Sequence, residues 1–247
     1  MAARIPASHA HEPLRGGGTL AWVALALLFA LGVPQAGAQV LADVLVDDRG
    51  TGLRSATPAE RTQVSIRRDG HRLAARPAQT IALGDEIVTG ERAYALLRYP
   101  EGHEVLVLPG TRLRLGGLLV YFGELFVRAR GFFRVETAYF TAGVEGTEFV
   151  VRAGRGEHLA QLIVIEGAVR CSASTGSWEP VRIDAAQQLT VRAQPAADDA
   201  GGRTRPDGAQ VLLRSVGEGV VEKLPAPRTD VAQISQLVRE LDAYLIR

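Results

Sequence analysis

Two glutamates, Glu145 and Glu148, stand three residues apart in the segment T-A-G-V-E-G-T-E-F, and Glu136 lies one hairpin upstream. Two carboxylates held about 5–10 Å apart are the machinery of glycoside hydrolysis, one as acid and the other as base or nucleophile. Other chemistry is scarce. His71, His103 and His158 are scattered without ligand spacing, and His9 and His11 fall in the N-terminal segment, so no metal and no cofactor is expected. Cys171 is the only cysteine, which excludes an intrachain disulfide; within A-V-R-C it reads as a buried, inert thiol. There is no G-x-S-x-G elbow and no phosphate loop with its lysine. Carbohydrate-cleaving β proteins carry long substrate loops and several aromatics for sugar stacking, whereas this chain has short loops and 6% aromatic residues. The glutamates therefore read as parts of a tight turn, and the chain as non-catalytic.

The elements that must hold this turn are short strands. Q-V-S-I-R-R and H-R-L-A-A flank Asp69-Gly70, a hairpin signal. Y-A-L-L-R-Y-P and E-V-L-V-L-P flank E-G-H as a second hairpin. In T-R-L-R-L-G-G, Leu113 and Leu115 alternate with Arg112 and Arg114, the two-residue period of a half-buried strand. Turn signals recur about every ten residues from 63 to 193, with no helical period between them. That pattern predicts an all-β fold, either a sandwich or a short-stranded solenoid-like stack.

The ends differ in kind. Residues 1–38 read as a signal peptide: an uncharged run at 19–33 of about 15 residues, shorter than the roughly 20 a membrane span needs, then Pro34 and A-G-A at 36–38. Residues 39–62 read as an N-terminal strap or first strand, 63–193 as the β domain, and 194–228 as a linker with one strand in A-Q-V-L-L-R-S-V. Residues 229–247 form an amphipathic helix whose Val231, Ile234, Leu237, Val238, Leu241, Tyr244 and Leu245 share one face. That stripe must be buried against the β domain, a second copy or a partner, and is the predicted surface for partner contact.

The block from 123 to 171 resembles the core of the FecR domain. Gly123-Glu124, the F-x-V-x-T at Phe133 to Thr137, the A-G-V-x-G-T-x-F-x-V at Ala142 to Val151 and the run from Ile163 through Glu166-Gly167 to Val169 match that family's pattern. The upstream L-G-D-E-I-V-T-G and the closing D-A-A-Q-Q-L-T-V are similar to it as well, with Ala186 where glycine is usual. The resemblance implies an all-β, periplasm-exposed module without catalytic residues. Gly123, Glu124, Thr137, Gly143, Val144, Gly146, Thr147, Phe149, Glu166 and Gly167 are then its structural motif. Gly143 and Gly146 are expected in conformations only glycine adopts easily, Thr141 and Thr147 to tie the turn, and Val144 and Phe149 to be buried.

The best-known members of that family are membrane-spanning regulators of sigma factors, with a long cytoplasmic region before the apolar segment; here only 18 residues precede it. The expectation is therefore an exported periplasmic module that binds an envelope protein or polysaccharide as scaffold or sensor. The alternative is a membrane-anchored signalling regulator, which requires residues 19–33 to stay uncleaved. Lys+Arg 28 against Asp+Glu 27 leaves no charge excess to suggest nucleic acid.

Overall fold

Glycine and threonine corners divide the strands between two leaves. The computed structural model describes residues 38–48, 52–155, 159–174, 178–193, 209–211, 224–226 and 228–246; the expected signal peptide, but for Ala38, and most of the expected linker lie outside them. Strands β1 (Val40–Asp47) and β2 (Leu53–Ser55) precede a single 3-10 turn at Glu60–Gln63. Then come β3 (Val64–Arg68), β4 (His71–Ala74), β5 (Gln79–Thr80), β6 (Glu86–Thr89), β7 (Ala93–Arg98), β8 (Glu104–Val107), β9 (Arg112–Arg114) and β10 (Leu119–Arg128). They are followed by β11 (Phe132–Thr137), β12 (Phe140–Glu145), β13 (Glu148–Ala153), β14 (Leu159–Glu166), β15 (Ala168–Ala173), β16 (Val181–Asp184) and β17 (Gln187–Ala193). Strands β18 (Ala209–Val211) and β19 (Leu224–Pro225) pair with the edge of β17 opposite β14, and helix α1 (Arg228–Leu245) follows.

Sheet A runs β2-β1-β7-β8-β10-β13-β14-β17, with β5 also beside β1. Sheet B runs β4-β3-β6-β9-β10-β11-β12-β15-β16. Strand β10 belongs to both, its first residues in sheet B and Gly123–Arg128 in sheet A. All pairs are antiparallel except β10 with β11. The inner residues of both leaves close one core, with Leu97, Val107, Val127, Phe149 and Val164 from sheet A meeting Ile66, Leu113, Val135, Phe140 and Val169 from sheet B. The fold is all-β with a C-terminal helix, its two leaves joined through β10 into one curled sheet that closes over the core in the manner of a sandwich.

Two expectations about organisation change. The segment 39–62 is no strap: β1 lies inside sheet A, paired along its length with β7, because V-L-A-D-V-L-V is apolar toward both faces. The domain therefore begins near residue 40, not 63. The Asp69-Gly70 hairpin is as expected, both residues at positive φ (49° and 81°), the combination that matches strand twist.

Two corners show why the leaves can fold over each other. At Gly123, with φ +102°, an added Cβ would lie 2.5 Å from the Thr111 Cα. Thr111 is fully buried; its hydroxyl donates to the Glu124 carbonyl at 3.0 Å and accepts the Glu124 N–H at 2.9 Å. At Gly167, with φ +81°, a Cβ would lie 2.9 Å from the Gly146 carbonyl, and the Thr147 hydroxyl donates to the Ala168 carbonyl at 3.0 Å. In each case a threonine hydroxyl satisfies backbone groups that the change of sheet leaves unpaired, and the opposing residue has no room for a side chain.

Candidate functional site

The glutamate pair that first suggested chemistry is separated by its own corner. Strand β12 ends at Glu145 in sheet B and β13 begins at Glu148 in sheet A, with Gly146 (φ +62°) and buried Thr147 between them. Glu145 points outward from sheet B and is exposed. Glu148 points outward from sheet A, where Arg128 donates to it at 2.6 Å. Glu136 shares the outer face of sheet B, but its register partner is Thr141, four residues from Glu145 along β12, or roughly 13 Å. No two of the three face each other across a cleft.

The motif residues sort by position. Gly123, Gly146, Gly167 and Thr147 make the sheet-changing corners just described. Thr137 ties the β11–β12 turn: its hydroxyl accepts the N–H groups of Tyr139 and Phe140 at 3.1 and 3.0 Å. Val144 and Phe149 are in the core, as expected. Glu124 holds Arg152 at 3.1 Å, and Arg152 reaches Asp230 in the first turn of α1 at 2.8 Å. Glu166 is exposed at the end of β14. Gly143 departs from expectation: it is a mid-strand residue of β12, outside the left-handed region, and its added Cβ would meet only the Arg170 carbonyl, at 3.8 Å. Thr141 likewise sits in β12 rather than in a turn.

The helical stripe is covered within the molecule. Ile234 and Leu241 are buried, and Val231, Leu237, Val238, Tyr244 and Leu245 pack beside them on Leu45, Leu96, Leu106, Phe126, Val150 and Ile163. These are the outward residues of sheet A. Polar contacts fix the helix along its length: Asp230 to Arg152, Asp242 to Arg128 at 2.8 Å, and the Tyr244 hydroxyl donating to Asp43 at 2.6 Å. The expected partner-contact surface is thus spent on the β domain, because sheet A is apolar on both faces and needs a cover.

The outer face of sheet B has no such cover among the described residues. Across β11, β12, β15 and β16 the register aligns Arg134 with Gly143, Gly143 with Arg170, and Arg170 with Arg182. One neighbouring row runs Glu136, Thr141, Ser172; the other begins Phe132, Glu145. Apart from Glu136, these rows line a groove of about 930 Å³ that also takes in Ala168 and Pro180. Phe132 is 75% exposed at its rim. Arg182 pairs with Asp184 at 2.7 Å and Arg134 only loosely with Glu136 at 3.8 Å. Arg170 forms no ion pair among the described residues.

The three arginines were not among the expected site residues. Each sits at the centre of an apolar-X-apolar triplet, F-R-V, V-R-C and V-R-I, which marks an outward position. Only the strand pairing brings them into one row.

Cys171 lies beneath this face, fully buried, and burial pushes its thiol pKa up, away from reactivity. No group of three His, Cys, Asp or Glu side chains suited to a metal occurs among the described residues, and no helix among them is long and apolar enough to cross a membrane.

No protein-family model and no curated protein matches the sequence. Two crystal structures from Parabacteroides distasonis ATCC 8503, of proteins provisionally described as anti-sigma factors, are similar in part. One is 20% identical over 61% of this chain and 64% of that chain, with a TM-score of 0.43. The other is 24% identical over 43% of this chain and 54% of that chain, with a TM-score of 0.38. This chain spans less than two thirds of either, and a likeness of this size carries no functional information.

Proposed function

We propose that the chain is an exported, non-catalytic FecR-type binding module of the periplasm, whose contact surface is the outer face of sheet B. One observation carries the reading: the two outer faces of the sandwich are treated oppositely. The face of sheet A is covered by α1, while among the described residues nothing covers the face of sheet B, which carries a groove and a row of arginines. Glu145 and Glu148 diverge onto different sheets, which supports binding rather than cleavage. The small floor residues and exposed Phe132 supply contact area, and the arginines supply orientation.

The test is retention on cell-envelope fractions of the source organism, using the chain as isolated from cells. Arg170→Gln with Arg182→Gln is expected to lower retention at least tenfold. Arg76→Gln with Arg92→Gln, the same change in charge at exposed sites off this face, is expected to leave it unchanged. Equal losses in both pairs, or in neither, contradict the assignment. The intact mass of the isolated chain separates the two addresses. A start at Gln39 supports a released periplasmic module; retention of residues 19–33 supports a membrane-anchored regulator of the kind the family resemblance implies.

A further inference from the structure

The groove has a chemistry specific enough to name its ligand class. We propose that it holds a segment of an acidic polysaccharide, with sugar carboxylates on the arginine row; this rests on the outer face of sheet B being the contact surface. The row spans four adjacent strands, or roughly 14 Å at the usual strand spacing. Arg170 and Arg182 are directly opposed across β15 and β16; Asp184 balances Arg182 at 2.7 Å, and an anion at Arg170 would relieve the remaining repulsion. Guanidinium groups bind planar carboxylates in bidentate fashion, so the row selects this anion geometry as well as its charge.

The rest of the groove favours a sugar acid over an acidic peptide. Thr141 and Ser172 present hydroxyls on one side of the row, and Glu145 presents a carboxylate on the other. Glu145 accepts hydrogen bonds from sugar hydroxyls, donors that the side chains of an acidic peptide lack. Phe132, exposed at the rim, offers a ring face to the apolar face of a pyranose. Gly143 completes the fit. Neither backbone conformation nor crowding requires glycine there, yet its lack of a side chain leaves the floor between Arg134 and Arg170 open.

Affinity electrophoresis of the chain as isolated from cells, in gels containing polygalacturonate, tests this, with dextran and polyglutamate as comparators. At about 0.15 M salt, where exposed charges are screened beyond about 8 Å, polygalacturonate is expected to retard the protein and the comparators are not. Arg170→Gln should weaken retardation by roughly tenfold or more, the scale of one charge-assisted hydrogen bond. Phe132→Ala should weaken it several-fold. Gly143→Leu should abolish it while the melting temperature is maintained, which separates blocked binding from lost folding. No retardation by polygalacturonate, equal retardation by polyglutamate, or retardation indifferent to Gly143→Leu overturns the proposal. If envelope retention depends on Arg170 and Arg182 but polygalacturonate does not bind, only the sugar-acid assignment falls; if neither holds, the contact surface falls with it.

Discussion

Two rows of side chains cross the molecule, one on the outer face of each sheet. In sheet A the row is Leu96, Leu106, Phe126, Val150 and Ile163, each aligned with the next. In sheet B it is Arg134, Gly143, Arg170 and Arg182. The flanking residues are alike, apolar and directed into the shared core. Only the middle residue of each triplet differs: A-L-L, V-L-V, L-F-V, F-V-V and L-I-V against F-R-V, A-G-V, V-R-C and V-R-I. The strands that must accept a cover are apolar on both faces; those without one among the described residues alternate. The helix and the groove are therefore two consequences of one pattern.

The contrast is sharpest for a single residue type. Phe126→Ala, under α1 and fully buried, is expected to cost about 3–5 kcal/mol in denaturant unfolding. Phe132→Ala, on the open face, should stay within about 0.5 kcal/mol. Comparable costs would mean that the open face is covered after all.

Glycines draw the same line with a smaller effect. Gly123→Ala forces a Cβ against the Thr111 backbone at positive φ and should cost about 2–4 kcal/mol. Gly143→Ala, in ordinary extended backbone, should be neutral or stabilise by about 0.5–1 kcal/mol. Thermal melts of the pair distinguish a glycine that folds the sandwich from one that keeps a groove open.

His103 tests the seam between the leaves. It lies in the β7–β8 loop of sheet A, 3% exposed, its ring 4.8 Å from that of Phe133 in sheet B, and its Nδ1 accepts the Arg130 N–H. Burial lowers its pKa, partly opposed by Glu101. The unfolded chain then binds the proton more tightly, so this contribution is present above the unfolded value of about 6.5 and is lost as pH falls through the lower folded value. Urea titrations from pH 7.5 to 5 should show declining stability, and His103→Gln should flatten that part of the profile.

The smallest effect belongs to Ala186, at the corner into β17 with φ 62°. Ala186→Gly should stabilise by about 1 kcal/mol, because a left-handed alanine is strained where glycine is not.

Much of the fold was legible in the sequence. The Asp69-Gly70 hairpin, the alternation around Leu113, the buried Val144 and Phe149, and the apolar face of α1 all follow from local pattern. Strand pairing was not legible, and each error traces to it. Glu145 and Glu148 looked like neighbours because three residues separate them, yet the chain changes sheet between them. Gly143 looked like a turn residue because Gly146 follows, yet the turn takes only Gly146 and Thr147. The stripe of α1 looked available to a partner because nothing local shows that sheet A lacks a cover. The arginine row is assembled from three strands 12 to 48 residues apart, a distance over which single-strand periodicity carries no information.

Hydroxyl-radical labelling of the two phenylalanines, with and without polygalacturonate, compares the two faces in one experiment. Phe126 is expected to be protected in both conditions, and Phe132 to be labelled in the free chain and protected when the polymer is bound. Labelling of Phe126 in the free chain, or of Phe132 unchanged by a bound polymer, overturns the contrast between a covered and an uncovered face.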